Sequence, residues 1–323
     1  MNNDFKKKVI IVGAGQIGSR YLQGLAKYDR PLEIIVIDHN QNSIELSKKR
    51  WLDTNPNLFN HKIYWNNEYI FKNDNIDLII ISTSSNEREK LISKISKKYI
   101  TKYWILEKVL AQCSDDVKDI NFYTKDSKSV WVNTSRRAMS IYSQLKIKLN
   151  SAIPDRIIIN GGLWGLACNS IHFIDLVEFL TNQSLVSINT KNIDKKWIKS
   201  KREGYFEITG ELSAKFSRGT ELILRSKHDI LNKIIRIELP DKFFWIIDEA
   251  KGEIYSSEGE KFYGKLENQS DMTTNIVKEI LENGLCKLTS LKDSSRQHVV
   301  FLDAILNHWN NSKNKIDKKV PIT

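Results

Sequence analysis

One stretch near the start of the chain limits what it can fold into: Val9-Ile10-Ile11-Val12-Gly13-Ala14-Gly15-Gln16-Ile17-Gly18. Four β-branched apolar residues meet three glycines spaced G-x-G-x-x-G. A helical pattern follows, with Ile17, Tyr21, Leu22, Leu25 and Tyr28 at spacings near three and four. A strand, a tight turn and a helix with one buried face are expected. A dinucleotide pyrophosphate is expected on the turn, cradled around Gly13, Gly15, Gln16, Ile17 and Gly18.

Pro31 breaks the helix, and Glu33 to Asp38 reads as a second strand, apolar enough to be covered on both faces. The two strands and their helix make a βαβ unit with a right-handed crossover. Asp38 closes it, twenty residues after Gly18. A carboxylate there accepts hydrogen bonds from the adenosine ribose and repels a 2′-phosphate, so NAD is expected over NADP. The plainer alternative is a cap for the helix Asn40 to Arg50.

Lys62 to Trp65 reads as a short strand inside the ambiguous stretch Asn60 to Ile70. Ile76 to Ile81 is a buried strand ending in Ser82-Thr83-Ser84-Ser85-Asn86. Ligands of such sheets bind beyond the carboxyl ends of strands, so Ser82, Thr83 and Ser84 are cofactor candidates as well as caps for the next helix. Tyr103 to Leu106 is a strand running into Glu107-Lys108-Val109, Asp115 to Tyr123 is a helix, and Ser129 to Asn133 is another strand. After Pro154 the pattern changes. A strand (Arg156 to Asn160), a bend (Gly161-Gly162-Leu163-Trp164-Gly165) and a helix from about Ser170 to Leu180 are followed by strand-like runs at Tyr205–Phe216, Glu221–Ser226, Lys233–Leu239 and Phe243–Asp248. Helices over Met272–Asn283 and Ser294–Trp309 close the chain. The fold class is therefore α/β. A Rossmann dinucleotide-binding domain is expected over 1–127, and an α+β domain with an open, mostly antiparallel sheet over 128–323. The last helix is a candidate to pack back on the first domain.

The net charge of +11 is compatible with an anionic substrate, but the lysines are spread along the chain, and nucleic acid is not an expected partner. Cys113, Cys168 and Cys286 are too sparse for a disulfide framework or a metal site, which points to a reducing compartment. No run reaches the length of a membrane span, and the apolar run after Met1 to Lys8 is too short for a signal peptide. A cytoplasmic protein without membrane attachment is expected.

The ordered pieces resemble the Gfo/Idh/MocA oxidoreductases along nearly the whole chain. The resemblance rests on the glycine turn, Ser82-Thr83-Ser84, Glu107-Lys108, Asn133 to Arg137, and His172-x-x-Asp175 after Gly161-Gly162. It implies an NAD(P)-dependent dehydrogenase or reductase acting on CH–OH groups of sugars, sugar nucleotides or polyols. It also implies a homodimer or homotetramer formed through the open sheet, and by fold analogy a place in surface-glycan synthesis. Enzymes that recycle a bound cofactor in epimerisation, elimination or hydrolysis are an alternative, as is a non-catalytic NAD-binding regulator. Two positions depart from the family pattern. Val109 replaces the usual proline, so a cis bond after Lys108 is not expected. Cys168 replaces a frequent aspartate.

The resemblance assigns Glu107 and Lys108 to the nicotinamide end. Lys108 would position substrate and cofactor and stabilise a developing alkoxide. His172 is the candidate proton-transferring group, because imidazole titrates near neutral pH. Asp175, three residues on, is placed to orient the imidazole or to bind substrate. Arg136 and Arg137 suit substrate oxygens or a phosphate, and equally a surface pair. Trp164 would stack on a sugar ring or simply pack, and Cys168 and Asn169 would line the same pocket.

Overall fold

The apolar runs fold into strands and the amphipathic runs into helices, in two compact units seen in a computed structural model that describes residues 6–66 and 75–323. Met1 to Phe5, at the head of the expected lysine-rich start, and the far end of the ambiguous stretch Asn60 to Ile70 lie outside these residues. The first unit comprises 1–110, 118–133 and 267–291, and the second 111–117, 134–266 and 292–323. Both units are discontinuous in sequence. The segment that returns to the first unit is 267–291, while the last helix counts with the second.

The first unit contains β1 (Lys7–Val12), α1 (Gln16–Leu25), β2 (Leu32–Ile37), α2 (Gln41–Leu52), β3 (Lys62–Asn66), β4 (Asn75–Ile81), α3 (Arg88–Lys98), β5 (Ile100–Leu106) and β6 (Ser129–Val132). Helix α4 (Ser114–Tyr123) bridges β5 and β6 in sequence. The sheet runs β6-β5-β4-β1-β2-β3 in parallel, with Thr289–Ser290 added antiparallel to β6. Strands β1, β2, β4 and β5 each end in four buried apolar residues, as a sheet covered on both faces requires. The order reverses between β1 and β4, which sets the crevice for a ligand at their carboxyl ends. The later helix Gln269–Asn283 packs on α1 at Gly24. A Cβ on Gly24 would lie 2.4 Å from the Cβ of Thr273, so only glycine permits this approach.

The second unit carries α5 (Ser140–Leu149), β7 (Arg156–Gly161), α6 (Leu166–Thr181), β8 (Leu185–Asn189), β9 (Ile198–Lys199), β10 (Phe206–Glu207), β11 (Gly210–Phe216), β12 (Glu221–Ser226), β13 (Ile234–Glu238), β14 (Phe244–Asp248), β15 (Glu253–Ser256) and β16 (Lys261–Tyr263). The main sheet has the order β16-β15-β14-β13-β7-β12-β11-β8 and is antiparallel except for the β7–β12 pair. The expected single strand Tyr205–Phe216 is two, β10 and β11, and β11 opens at Gly210, whose φ of +104° favours glycine. Ile157, Ile159, Leu222, Leu224, Ile235 and Ile237 form the core side of this sheet, and α6 packs there against β12. The other side holds one cross-strand row, Ile223, Ile158, Arg236, Ile246 and Tyr255, fixed by register. Pairs Arg156–Glu238 and Arg225–Glu211 flank it.

Candidate active site

In the first unit the parallel ladder continues one rung past each strand. The N–H of Gly13 donates to Ile37 O, that of Ser82 to Val12 O, that of Glu107 to Ile81 O and that of Asn133 to Leu106 O. The sheet itself thus aligns the glycine turn, the 82–84 cluster, the Glu107–Lys108 step and Asn133 along one carboxyl edge.

The turn is shaped by close approach. Gly13 has φ +95°, and a Cβ there would lie 3.0 Å from the carbonyl carbon of Ser82. A Cβ on Gly18 would lie 1.8 Å from Gly13 O. A Cβ on Gly15 meets nothing within 4 Å, and Gly15 starts α1 with no side-chain cap. Gly15 therefore leaves open space at the positive end of a helix, as a pyrophosphate requires. Asp38 accepts from the N–H of Ala14 (2.6 Å) and of Asn40 (2.8 Å), which ties the end of β2 to the turn. The cap of α2 is Asn40, whose side chain accepts from Ser43 N–H (3.2 Å), so the capping alternative for Asp38 is not realised. The hydroxyl of Ser82 donates to Gly13 O (2.6 Å). Arg50 reaches back to the side chain of Gln16 (2.7 Å) and to Ser19.

Glu107 is buried. Its Oε1 accepts from Tyr21 O–H (2.8 Å) and from Asn133 Nδ2 (2.7 Å), and Asn133 also donates to Gln269 (2.9 Å). Burial raises the Glu107 carboxyl above its ordinary range, although these two donors and the charges of Lys108 and Arg88 oppose the rise. Burial and the adjacent carboxylate push the Tyr21 phenol well up. The Lys108–Val109 peptide bond is cis, contrary to expectation. The carbonyls of Glu107 and Val109, on either side of Lys108, accept from the Arg88 guanidinium at 2.5 Å. Two buried atoms of this edge, Thr83 Oγ1 and Asn133 Oδ1, have no hydrogen-bond partner among the described residues. A bound polar ligand would supply one, so the edge fits a dinucleotide in shape, dipole and unmet hydrogen bonding.

In the second unit the predicted residues cluster around the start of α6. Gly165 precedes the helix with φ +78°, and a Cβ there would crowd Cys168 Sγ at 2.9 Å. The first turn is capped from afar. Glu207 on β10 accepts from the N–H of Ala167 (2.8 Å) and Cys168 (3.2 Å), so a carboxylate stands beside Cys168 although the sequence places none there. Asn169 donates to Trp164 O (2.7 Å), and the Trp164 indole donates to Arg225 O (2.8 Å) while its ring meets Phe173 edge-on. Trp164 packs. His172 is half-buried one turn beyond Cys168. Asp175 is wholly buried and receives both Nε (2.9 Å) and Nη2 (2.7 Å) of Arg137, with Gln297 at 3.2 Å. Arg136 forks Glu249 in the same way (2.8 and 3.1 Å), lies over the Phe173 ring, and shares Glu249 with Tyr142 and Lys233. Burial alone would raise Glu249; the cations of Arg136 and Lys233 pull it down to about 2. Neither arginine is a surface residue, and the forks facing Asp175 and Glu249 are committed to ion pairs. Arg88, Glu207 and Glu249 carry no sequence signal. Among the described residues no three His, Cys, Asp or Glu are grouped to hold a metal.

A doubly wound sheet with a glycine turn, a strand-end acid and an open carboxyl edge is the architecture of a dinucleotide-binding domain. Residues 7–134 match the GFO_IDH_MocA model, described as the oxidoreductase family with NAD-binding Rossmann fold. No curated protein matches the chain. Among solved structures it is similar to an oxidoreductase from Agrobacterium radiobacter in complex with NAD+, L-tartaric acid and magnesium (TM-score 0.71, 13% identity, 95% of this chain and 97% of that one). It is also similar to scyllo-inositol dehydrogenase from Lactobacillus casei with bound NAD(H) and scyllo-inositol (0.67, 16%, 96% and 98%). A third is UDP-N-acetylglucosamine 3-dehydrogenase from Acidithiobacillus ferrooxidans (0.66, 10%, 93% and 97%).

Proposed function

We propose that the protein oxidises a hydroxyl-bearing carbon of a polyol, sugar or sugar nucleotide, or reduces the matching ketone, with NAD as hydride carrier. The observation that carries this reading is the alignment of the glycine turn, Asp38, Thr83 and the Glu107–Lys108 step on one edge. The nicotinamide, when bound, accepts or returns the hydride. Asp38 favours NAD over NADP, because a second negative group beside it is repelled. Lys108 offsets the negative charge that develops as the hydroxyl proton leaves. His172 takes that proton in oxidation and returns it in reduction. Asp175 contributes by anchoring Arg137 against α6. The polyol and sugar-nucleotide dehydrogenases of similar fold support the substrate class.

We infer a reducing compartment, in which Cys113, Cys168 and Cys286, none of them in a disulfide, stay as thiols. A second copy is the partner proposed for the outer face of the second unit's sheet. Its row of Ile158, Ile223 and Ile246, each at most 9% exposed, ends in Tyr255 at 41% and lies between oppositely charged pairs, which suits a self-complementary two-fold contact.

The test is NADH formation from NAD across a panel containing myo-inositol, scyllo-inositol and UDP-N-acetylglucosamine. At least one compound is expected to turn over, with Lys108→Ala and His172→Ala each slower by about 100-fold or more. No NADH from any compound, or undiminished rates in both variants, would overturn the reading.

A further inference from the structure

We infer that Arg88 is the positioning residue of Lys108; this rests on the catalytic role proposed for Lys108. Arg88, the first residue of α3, is 1% exposed, and no other Arg or Lys among the described residues is buried. Its Nη1 serves the carbonyls of Glu107 (2.5 Å), Val109 (2.5 Å) and Leu110 (3.0 Å), and its Nη2 donates to Thr83 O (2.5 Å). Every one of these acceptors lies on the two loops that follow β4 and β5 at the carboxyl edge. A guanidinium is a planar fork able to reach several fixed oxygens at once, which an ammonium cannot match. The Glu107 side chain is held separately by Tyr21 and Asn133. The main chain on both sides of Lys108 and the side chain before it are thus fixed from different directions.

Burying a guanidinium carries a desolvation cost, which its four carbonyl acceptors on the two loops offset. The same contacts fix the backbone around Lys108, which an apolar residue would not do. The glycine turn has its own supports, Gly13 N–H to Ile37 O and Ser82 Oγ to Gly13 O, so it does not need Arg88. Loss of Arg88 should disturb the reacting step while cofactor binding persists.

The experiment compares Arg88→Lys, Arg88→Ala and Lys108→Ala in the purified protein. It measures NADH binding by fluorescence titration, and kcat and KM with the alcohol found in the panel, with and without dilute guanidinium chloride. Arg88→Lys is expected to lose about 100-fold in kcat, since small misplacements of a catalytic group have effects of that order. KM and NADH affinity should stay within about 3-fold. Guanidinium should restore part of kcat to Arg88→Ala and none to Lys108→Ala. If the alanine variant does not fold, the kcat–KM split in Arg88→Lys decides alone. A near-normal kcat in Arg88→Lys beside a crippled Lys108→Ala overturns the positioning role. So does a joint fall of kcat and NADH affinity without rescue. Full turnover by Lys108→Ala overturns the lysine's own role, whatever the Arg88 variants do.

Discussion

Gly15 and Gly18 occupy the same turn, yet their substitution has different consequences. A side chain at Gly18 strikes Gly13 O inside the protein, whereas one at Gly15 enters open space in front of α1. Gly15→Ala is therefore expected to unfold within about 1 kcal/mol of the parent in a denaturant titration, while NADH affinity falls at least about 10-fold. Gly18→Ala should lose stability as well as affinity. Asp38→Ala should narrow the preference for NAD over NADP, measured as the ratio of the two cofactors' kcat/KM values. Asp38, Lys108 and the glycines were readable because a β–turn–α step fixes their place relative to a strand end. Arg88, Glu207 and Glu249 were not. Arg88 holds carbonyls 19–22 residues on, Glu207 amides 39–40 residues back and Glu249 the Arg136 guanidinium 113 residues back, and no local pattern announces such pairings.

At the scale of elements, Glu249, just past β14, ties α5 and the segment before it to the second unit's sheet through ion pairs with Arg136 and Lys233 and a hydrogen bond from Tyr142. With its folded value near 2, below the usual glutamate range, this group binds its proton more weakly in the folded state. Its contribution is present above the unfolded value and is lost as pH falls from about 5 towards 2, amounting to about 3 kcal/mol. Thermal melts should show this acid limb, and Glu249→Gln should flatten it. Glu107 has the opposite sign: its folded value is raised, so its share of stability is full at low pH and declines as pH rises through that value. Strand and helix types were largely legible from periodicity, but edges were not. The short strands β8 and β9 lack alternation strong enough to stand out, and the start of α6 four residues before Ser170 depends on Glu207, a cap supplied from another element.

For the whole molecule, the sequence pattern is read along the chain, whereas the compact units are discontinuous in it. The first unit recruits the late helix Gln269–Asn283 and the strand Thr289–Ser290, and only tertiary contact reveals that return. The sheet face proposed for self-association makes its own prediction. The protein should sediment as a dimer or tetramer, and Ile158→Glu with Ile223→Glu should give monomers; a monomeric parent would contradict it. Isotope transfer tests the central claim, NAD-dependent hydride transfer at a CH–OH carbon, most directly. The substrate found in the panel is deuterated at the carbon that is oxidised, and the cofactor is recovered after turnover. Deuterium is expected on the nicotinamide ring of the NADH formed; NADH free of deuterium, with the label lost to water, would contradict direct hydride transfer.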